Sequence, residues 1–337
     1  MTTLPSLDQQ EEREFLGHVD ADDVTQTAAI GRDITPADGN DDAPIPAIGG
    51  YLGRCLLQVL IAAGRNSAVY LGKLWDLHLP VAVKVVVPRR AEDRPVLMAH
   101  LRSEFIALSR LTHSNVPRLW DYREELDHPH LATEYVESLT LEQLRRKHGG
   151  RIPLKMVIRI ALRALEGLAA AWRIGFVHRD VKPNNLLYTP GGEVKVIDWG
   201  LSTMVGAGLP CTPSADTVRF VGTPAYLPPE MARPGKPFDH RTDVYALGAS
   251  LYHAVTGRLP FDYRRPTQMI LAHLTEVPVP PFDYVQEPGM LRMTDVIMRM
   301  MAKNPSDRFE KPDELHDELT RTLSDATAGN SRYIALR

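Results

Sequence analysis

Apolar residues are grouped in short runs in one part of the chain and in long stripes in the next. From Tyr51 onward, five short runs of apolar and β-branched residues predict strands, with turn residues such as Gly64 and Asn66 among them: 56–60, 68–74, 81–87, 118–123 and 130–136. Between the third and the fourth run, apolar residues recur at spacings of three and four over 101–111, which predicts one helix.

The pattern of the later part is mostly helical. The clearest amphipathic stripe runs from Leu154 to Trp172, with apolar residues three and four positions apart. Four further segments have helical spacing: about 241–256, 267–275, 291–302 and 313–323. We therefore expect the α+β class, with a small β-rich half followed by a larger, mainly helical half.

Residues 1–48 differ in kind from the rest. They contain eleven acidic residues against two arginines, and Phe15 is their one aromatic residue. Such a segment buries too little apolar surface to offset the entropy of ordering it. We interpret it as an acidic, disordered N-terminal arm.

Composition and charge narrow the range of functions. A hydrophobic content of 44% allows a sizeable core. A net charge of -3 lacks the excess of basic residues that is typical of nucleic-acid-binding proteins. We find no apolar run of about 18 residues and no signal peptide, so we expect no membrane span. Two cysteines, Cys55 and Cys211, form no disulfide framework. Together these features predict a soluble cytoplasmic protein.

The run from His178 to Asn185 carries the chemistry. It places Asp180, Lys182 and Asn185 at offsets that suit phosphoryl transfer. The carboxylate can orient a hydroxyl and accept its proton, the ammonium can meet the γ-phosphate, and the amide oxygen can ligate magnesium.

A second polar motif, Asp198-Trp199-Gly200, begins thirteen residues after Asn185 and follows a strand-like run that ends at Ile197. A carboxylate at a strand end is a plausible second ligand for a hard cation. A polar turn would explain either motif by itself. The two motifs in this order point instead to a phosphoryl-transfer site.

These motifs resemble those of the eukaryotic-type (Hanks-type) protein serine/threonine kinase family. The resemblance runs from about Gly49 to about Leu323 and suggests a soluble bacterial member. It implies the bilobal protein-kinase fold, with ATP in the cleft, a small β-rich N-lobe with its hinge over 49–136 and a helical C-lobe over 137–323. Residues 324–337 would form a C-terminal tail.

The resemblance also implies a role for each matching residue. Lys84 of Val81-Ala82-Val83-Lys84 would hold the α- and β-phosphates and pair with Glu104, while Asp180 and Lys182 act on the reacting groups. Magnesium would be held by Asn185 and Asp198. The nucleotide-binding positions would be Ala62, Gly64, Ser67, Val69, Ala82, Lys84, Thr133, Glu134, Val136 and Leu187.

Three further motifs match structural parts of the family. The segment from Gly222 to Glu230 resembles the end of an activation segment, and Arg308 would pair with Glu230. Asp243 would begin a central buried helix and steady the catalytic loop.

Two positions depart from the family pattern. The glycine-rich loop, residues 62–69, keeps one of three expected glycines, Gly64, so we expect a raised KM for ATP. Trp199 replaces the usual phenylalanine; we expect it to fill the space under the helix that carries Glu104 and to favour an inward Asp198.

The substrate is expected to be a protein serine or threonine, because Lys182 is typical of serine/threonine-specific members. Arg179 would pair with a phosphorylated activation segment, with Thr212 or Thr217 as the preferred acceptors. A phosphothreonine-binding partner for the arm, read at Thr25 or Thr27, is a further hypothesis; a solvated arm without a partner is the simpler alternative.

Other functions stay open at this point. A pseudokinase acting as a signalling scaffold would explain the degenerate loop, and a small-molecule kinase could use the same fold. Tyrosine specificity is a third alternative. The presence of Lys84, Asp180, Asn185 and Asp198, together with a full activation segment, favours the protein kinase.

Overall fold

The computed structural model describes residues 45–64, 66–125, 127–205, 223–233 and 238–328. The chain divides into two compact units. Of the described residues, 45–109, 117–137 and 189–191 form the smaller unit, and 110–116, 138–188 and those from 192 onward form the larger one.

The smaller unit is an antiparallel sheet with one helix. The strands are β1 (Tyr51–Leu52), β2 (Cys55–Ala63), β3 (Ser67–Leu74), β4 (Pro80–Val86), β5 (Leu119–Arg123) and β6 (His130–Glu134). Their order in the sheet is β1-β2-β3-β4-β6-β5, and the helix α1 (Arg94–Arg110) follows β4 in the chain.

Period-two burial explains why these segments form a half-buried sheet. Along β3 every second residue is buried, among them Ala68, Tyr70 and Leu74. The buried valines Val81 and Val83 of β4 join the same core. Side chains that alternate between two faces give one apolar face, and that face forms the core of this unit.

The larger unit is built around two helices, α3 (Leu154–Arg173) and α4 (Arg241–Thr256). The apolar stripe of α3 is buried, whereas α4 is buried along nearly its whole length. Smaller elements complete this unit: β7 (Leu139–Thr140), α2 (Leu141–Lys147), β8 (Phe176–Val177), β9 (Leu186–Tyr188), β10 (Val194–Val196), β11 (Thr203–Met204), α5 (Pro266–Thr275), α6 (Pro281–Tyr284), α7 (Met290–Met300) and α8 (Pro312–Ala328).

Glycines allow two close approaches in the larger unit. A Cβ on Gly248 of α4 would lie 2.7 Å from Met300 Cβ of α7, so the missing side chain lets the two helices touch. Gly257 ends α4 at φ +72, and a Cβ there would lie 2.6 Å from the carbonyl oxygen of Gly150. Such a position needs glycine both for its left-handed backbone and for its space.

The segment 110–116 follows α1 but packs within the larger unit. Asn115 Nδ2 donates to the Val194 carbonyl at 2.8 Å, and Val196 N donates to the Asn115 carbonyl at 2.8 Å. A Cβ on Gly167 of α3 would lie 3.0 Å from Asn115. The smaller unit is therefore assembled from separate stretches of the chain.

The α+β class predicted from the sequence is confirmed, with the β-rich and the helical part in the expected order. Helix α4 has the predicted bounds, and α8 extends five residues beyond the predicted end. Among the described residues, no helix combines the length and the apolar character needed to cross a bilayer. Most of the acidic arm, residues 1–44, and the end of the tail, residues 329–337, lie outside the described residues.

Candidate active site

The predicted catalytic loop lies between β8 and β9, and its three polar side chains meet. Lys182 Nζ donates to Asp180 Oδ2 at 2.6 Å, and Asn185 Nδ2 donates to the same oxygen at 3.1 Å. Asn185 Nδ2 also donates to the main-chain carbonyl of Asp180 at 2.8 Å. The Asp180 side chain is 8% exposed and the Lys182 side chain 20% exposed. The loop therefore holds a largely desolvated carboxylate beside an ammonium group.

Asp243, at the start of α4, holds the backbone of this loop. Its carboxylate accepts the main-chain N–H groups of His178 and Arg179 at 2.8 Å each, and the indole N–H of Trp172 at 2.8 Å. Burial raises the pKa of Asp243, and these donors oppose that rise because they favour the charged form. Arg179 takes the left-handed conformation, with φ 70, at the point where the loop turns.

Asp198 follows β10, and a backbone hydrogen bond of the preceding residue joins this strand end to Asn185. Ile197 N donates to the Asn185 carbonyl at 2.9 Å, which ties the strand end to the catalytic loop. Asp198 itself has φ 65 and ψ 64, a conformation that aspartate tolerates better than most residues. The structure therefore brings the two predicted magnesium ligands to neighbouring backbone positions.

His178 and Trp199 hold these two segments through hydrogen bonds to their backbone. Asp180 N donates to His178 Nδ1 at 3.2 Å, so the proton of the neutral ring lies on Nε2, which donates to the Ile197 carbonyl at 3.0 Å. The Trp199 ring is fully buried, lies 4.5 Å from the His178 ring and donates its N–H to the Val196 carbonyl at 3.0 Å. The expected effect of Trp199 on Asp198 stays a prediction.

The oxygen donors of the loop fit a hard divalent cation. Because Asn185 uses its Nδ2 on Asp180, its Oδ1 is turned away from that carboxylate. An amide oxygen and a carboxylate are ligand types that Mg²⁺ prefers. These residues would hold the ion that the family generally uses.

In the smaller unit, Lys84 and Glu104 form the ion pair that the sequence predicts. Lys84 Nζ lies 2.7 Å from Glu104 Oε2, and the side chains keep 27% and 6% of their surface exposed. Lys84 pairs with Val69 of β3 and Leu131 of β6 in the sheet register. A buried glutamate on α1 is thus neutralised by the lysine of β4.

The predicted glycine-rich loop is the β2–β3 turn. Ala62 pairs with Val69, and Gly64 N donates to the Ser67 carbonyl at 2.8 Å. Gly64 has no positive φ, and the next residue, Arg65, lies outside the described residues. Gly64 therefore does not serve a left-handed turn, and the raised KM for ATP stays a prediction.

The remaining nucleotide positions lie in or next to strands of two sheets. Ala82 pairs with Thr133 of β6, and Glu134, which ends β6, donates its N–H to the Arg118 carbonyl at 2.7 Å. Val136 follows β6 in the smaller unit. Leu187, in the centre of β9 in the larger unit, is half-buried. Their contact with a nucleotide stays a prediction.

Glu230, at the end of the predicted activation segment, forms the predicted pair with Arg308. Arg308 donates from Nη1 and Nη2 to the two carboxylate oxygens of Glu230 at 2.7 and 2.8 Å, and Thr242 Oγ1 adds a bond of 3.0 Å to Glu230. Both side chains of the pair are almost fully buried. This prediction is confirmed, while the activation-segment residues 206–222 lie outside the described ones.

Sequence reasoning missed two supporting residues. The sequence pattern places Trp172 in the apolar stripe of α3, yet its indole N–H also donates to Asp243. His178 was included in the motif without a role, although both of its ring nitrogens are used. The signal for Trp172 was its place near the end of an amphipathic helix. A buried indole N–H there needs a hydrogen-bond acceptor from another part of the chain.

Comparison with known proteins agrees with this geometry. The protein kinase domain family matches residues 57–319. The chain is 36% identical over 256 residues to the serine/threonine-protein kinase PknL of Mycobacterium tuberculosis, covering 76% of this chain and 62% of the relative. It is 32% identical over 291 residues to PksC of Streptomyces coelicolor (82% and 51%) and 32% identical over 269 residues to PknB of Mycobacterium leprae (79% and 42%), both serine/threonine-protein kinases.

The chain spans about half the length of these curated relatives. The family match covers far more than half of the chain and contains the catalytic loop, the Lys84–Glu104 pair and the Glu230–Arg308 pair. This chain therefore belongs to the protein kinase family.

Proposed function

We propose that the chain is an ATP-dependent protein serine/threonine kinase. The observation that carries the proposal is the convergence of Lys182 and Asn185 on Asp180 Oδ2, at 2.6 and 3.1 Å, in a loop fixed by Asp243. A carboxylate, an ammonium and an amide in this arrangement can position a hydroxyl and stabilise developing charge on a phosphoryl group.

Each residue has a definite task in this proposal. Asp180 orients the acceptor hydroxyl and takes its proton, and Lys182 lies beside that carboxylate to neutralise charge on the transferred group. Lys84, held by Glu104, binds the α- and β-phosphates. Asn185 and Asp198 would hold Mg²⁺, which when bound neutralises negative charge on the phosphates.

A protein substrate is supported by the end of the activation segment. The buried pair of Glu230 and Arg308 anchors this segment to the larger unit, and the relatives are named serine/threonine-protein kinases. We also propose that the chain phosphorylates itself at Thr212 or Thr217, which lie outside the described residues. Arg179, whose guanidinium lies 4.9 Å from the Phe238 ring centre, would bind that phosphate.

A separate proposal concerns the acidic arm. Phosphorylated Thr25 or Thr27, both outside the described residues, would bind a phosphothreonine-binding partner in the cytoplasm. Mass spectrometry after incubation with ATP would test this step. An arm that acquires no phosphate would remove the proposal and leave the kinase assignment untouched.

The decisive experiment is autophosphorylation with labelled ATP and magnesium. We expect label on the wild type and a decrease of at least about 100-fold in Asp180→Asn, because general-base and orienting roles contribute that much or more. Lys84→Met should be equally inactive, whereas Lys155→Met, an exposed lysine of α3, is the matched control and should keep full activity.

Phosphoamino-acid analysis of the product distinguishes serine and threonine from tyrosine. Label that persists in folded Asp180→Asn would refute the assigned mechanism. If folded wild type transfers no label to itself or to a general protein substrate and binds no ATP with magnesium, the pseudokinase alternative would replace the proposal.

A further inference from the structure

A group of three potential metal ligands lies in the smaller unit, apart from the residues assigned to phosphoryl transfer. Cys55 begins β2, Asp121 lies in β5 and His130 begins β6. One ligand atom from each residue lies within 4.8 Å of the other two. Cys55 and His130 have no exposed surface, and the Asp121 side chain keeps 9%.

Two of these ligand atoms are buried without a hydrogen-bond partner. Among the polar side-chain atoms of the described residues, Asp121 Oδ2 and His130 Nε2 belong to this small class. A buried acceptor without a hydrogen-bond donor destabilises the fold, so two such atoms close to each other require an explanation.

The other atoms of the same side chains are already used, which fixes the orientation of the ligands. His130 Nδ1 lies 3.0 Å from the His128 carbonyl and donates to it, so Nε2 carries a lone pair. Metal-bound histidines are commonly held in this way by a carbonyl. Asp121 Oδ1 accepts the Tyr122 N–H at 3.0 Å and lies 3.4 Å from Arg123 Nε, which leaves Oδ2 for the group.

A glycine keeps space open above the group. Gly53 lies in the turn between β1 and β2 with φ +52. A Cβ at this position would lie 3.4 Å from His130 Nε2 and 3.5 Å from Asp121 Oδ2, so the glycine directly faces both atoms. Any larger residue would occupy the approach to them.

We propose that Cys55, Asp121 and His130 bind one Zn²⁺ ion that ties the start of β2 to the β5–β6 hairpin. A thiolate, an imidazole and a carboxylate are the ligand types of zinc sites, and the softer sulfur disfavours Mg²⁺ and Ca²⁺. Zinc bonds of about 2.0 Å to N and O and about 2.3 Å to S place ligand atoms about 3.3–3.6 Å apart in a tetrahedron. Since the three atoms lie within 4.8 Å of one another, they would have to approach one another by at most about 1.5 Å around the ion.

Binding exchanges one ion for one proton. Burial raises the pKa of the Cys55 thiol to about 12, so the metal-free group carries S–H and binding of Zn²⁺ releases that proton to solvent. The thiolate and the Asp121 carboxylate then balance the two positive charges of the ion. Neutral His130 is the third ligand, and a water molecule would take the fourth tetrahedral position.

The test uses the full-length protein stripped of metal with a chelator and returned to buffer with excess Mg²⁺. Titration with Zn²⁺ against a chromophoric chelator should give one tight site per chain. Titration with Co²⁺ should give a thiolate-to-cobalt charge-transfer band, which Asn185 and Asp198 cannot produce because they offer only oxygen. Cys55→Ser should abolish the band, whereas Cys211→Ser, the other cysteine in the sequence, should keep it.

Asp121→Asn and His130→Gln make the test independent of how well Cys55→Ser folds. Each should weaken Zn²⁺ binding at least about 10-fold, and the same concentration of Zn²⁺ should raise the melting temperature of the wild type more than that of the variants. Any one of three results would overturn the proposal: no tight Zn²⁺ site, a cobalt band that disappears with Cys211, or wild-type affinity in folded Asp121→Asn and His130→Gln. None of these readouts depends on kinase activity.

Discussion

The buried pair of Glu230 and Arg308 allows a quantitative test of what anchors the activation segment. Glu230→Gln keeps the shape of the side chain but leaves the guanidinium, which has no exposed surface, without a counter-charge. Breaking a buried ion pair at one partner costs about 3–5 kcal/mol of unfolding free energy. We expect the low end, about 3 kcal/mol, because the glutamine oxygen still accepts one of the two bonds.

The reverse change should cost more. Arg308 also donates to the carbonyls of Ala302 and Arg241 at 2.8 Å each, so Arg308→Met leaves two carbonyls and a buried carboxylate with fewer donors. We expect about 5 kcal/mol for this variant. The double variant removes both charges and should be more stable than the sum of the single effects predicts, with a coupling of about 2 kcal/mol.

Urea unfolding measures these free energies, with the denaturant slope checked for each variant. The matched control is the pair of Arg299 and Glu314, which has the same 2.7 Å separation but keeps 43% and 42% of its side chains exposed. Glu314→Gln should cost less than about 1 kcal/mol because water screens the pair. Equal costs for Glu230→Gln and Glu314→Gln, or additive effects of the two changes at the buried pair, would refute the reasoning.

Three other changes test separate features of the larger unit. Asp243→Asn should lower kcat by at least about 10-fold while KM for ATP changes little, because an amide N–H₂ opposes a main-chain donor of the catalytic loop; unchanged steady-state kinetics would contradict this role. Burial lowers the pKa of His273 to about 4, so the unfolded chain binds more protons between pH 6.5 and 4 and stability should fall as pH falls through that window, by up to about 3 kcal/mol. In folded His273→Gln, urea midpoints measured across this window should show a shallower pH dependence, and an unchanged slope would assign the effect elsewhere. Gly257→Ala should destabilise far more than Gly149→Ala: both glycines have a left-handed φ, of +72 and +70, but a Cβ meets a carbonyl at 2.6 Å only at the first. Gly149→Ala should lower the free energy of unfolding by about 1–2 kcal/mol, measured by thermal or urea unfolding. Equal costs for the two variants would show that the backbone conformation alone sets the loss of stability.

The sequence was most informative where one local pattern decides the structure. The buried stripe of α3 and the alternation of β3 are periodic over many residues, and both elements were placed correctly. Short elements were missed, among them α2 and β9. Strand β9 is three residues long, its neighbour β10 is equally short, and its other partner β7 lies far earlier in the sequence, so no local period indicates it.

The candidate site was predicted by motif, and its supporting contacts were not. The family pattern pointed to the pairing of Lys84 with Glu104 across 20 residues of chain. Nothing in the sequence pointed to Cys55, Asp121 and His130 as neighbours, because the turn before β2 and the β5–β6 hairpin are brought together by the fold of the sheet. Contacts that depend on sheet curvature have no signature in a single sequence.

The passage of segment 110–116 into the larger unit also affects how the chain can be divided. A fragment cut at the predicted hinge, covering 45–137, would keep Leu111, Asn115 and Val116 but lose the helix and strand that bury them. The complementary fragment would lose the Asn115 carbonyl that Val196 N uses. The cut thus divides the interior of the larger unit between the two fragments, so neither fragment expressed alone could complete that core.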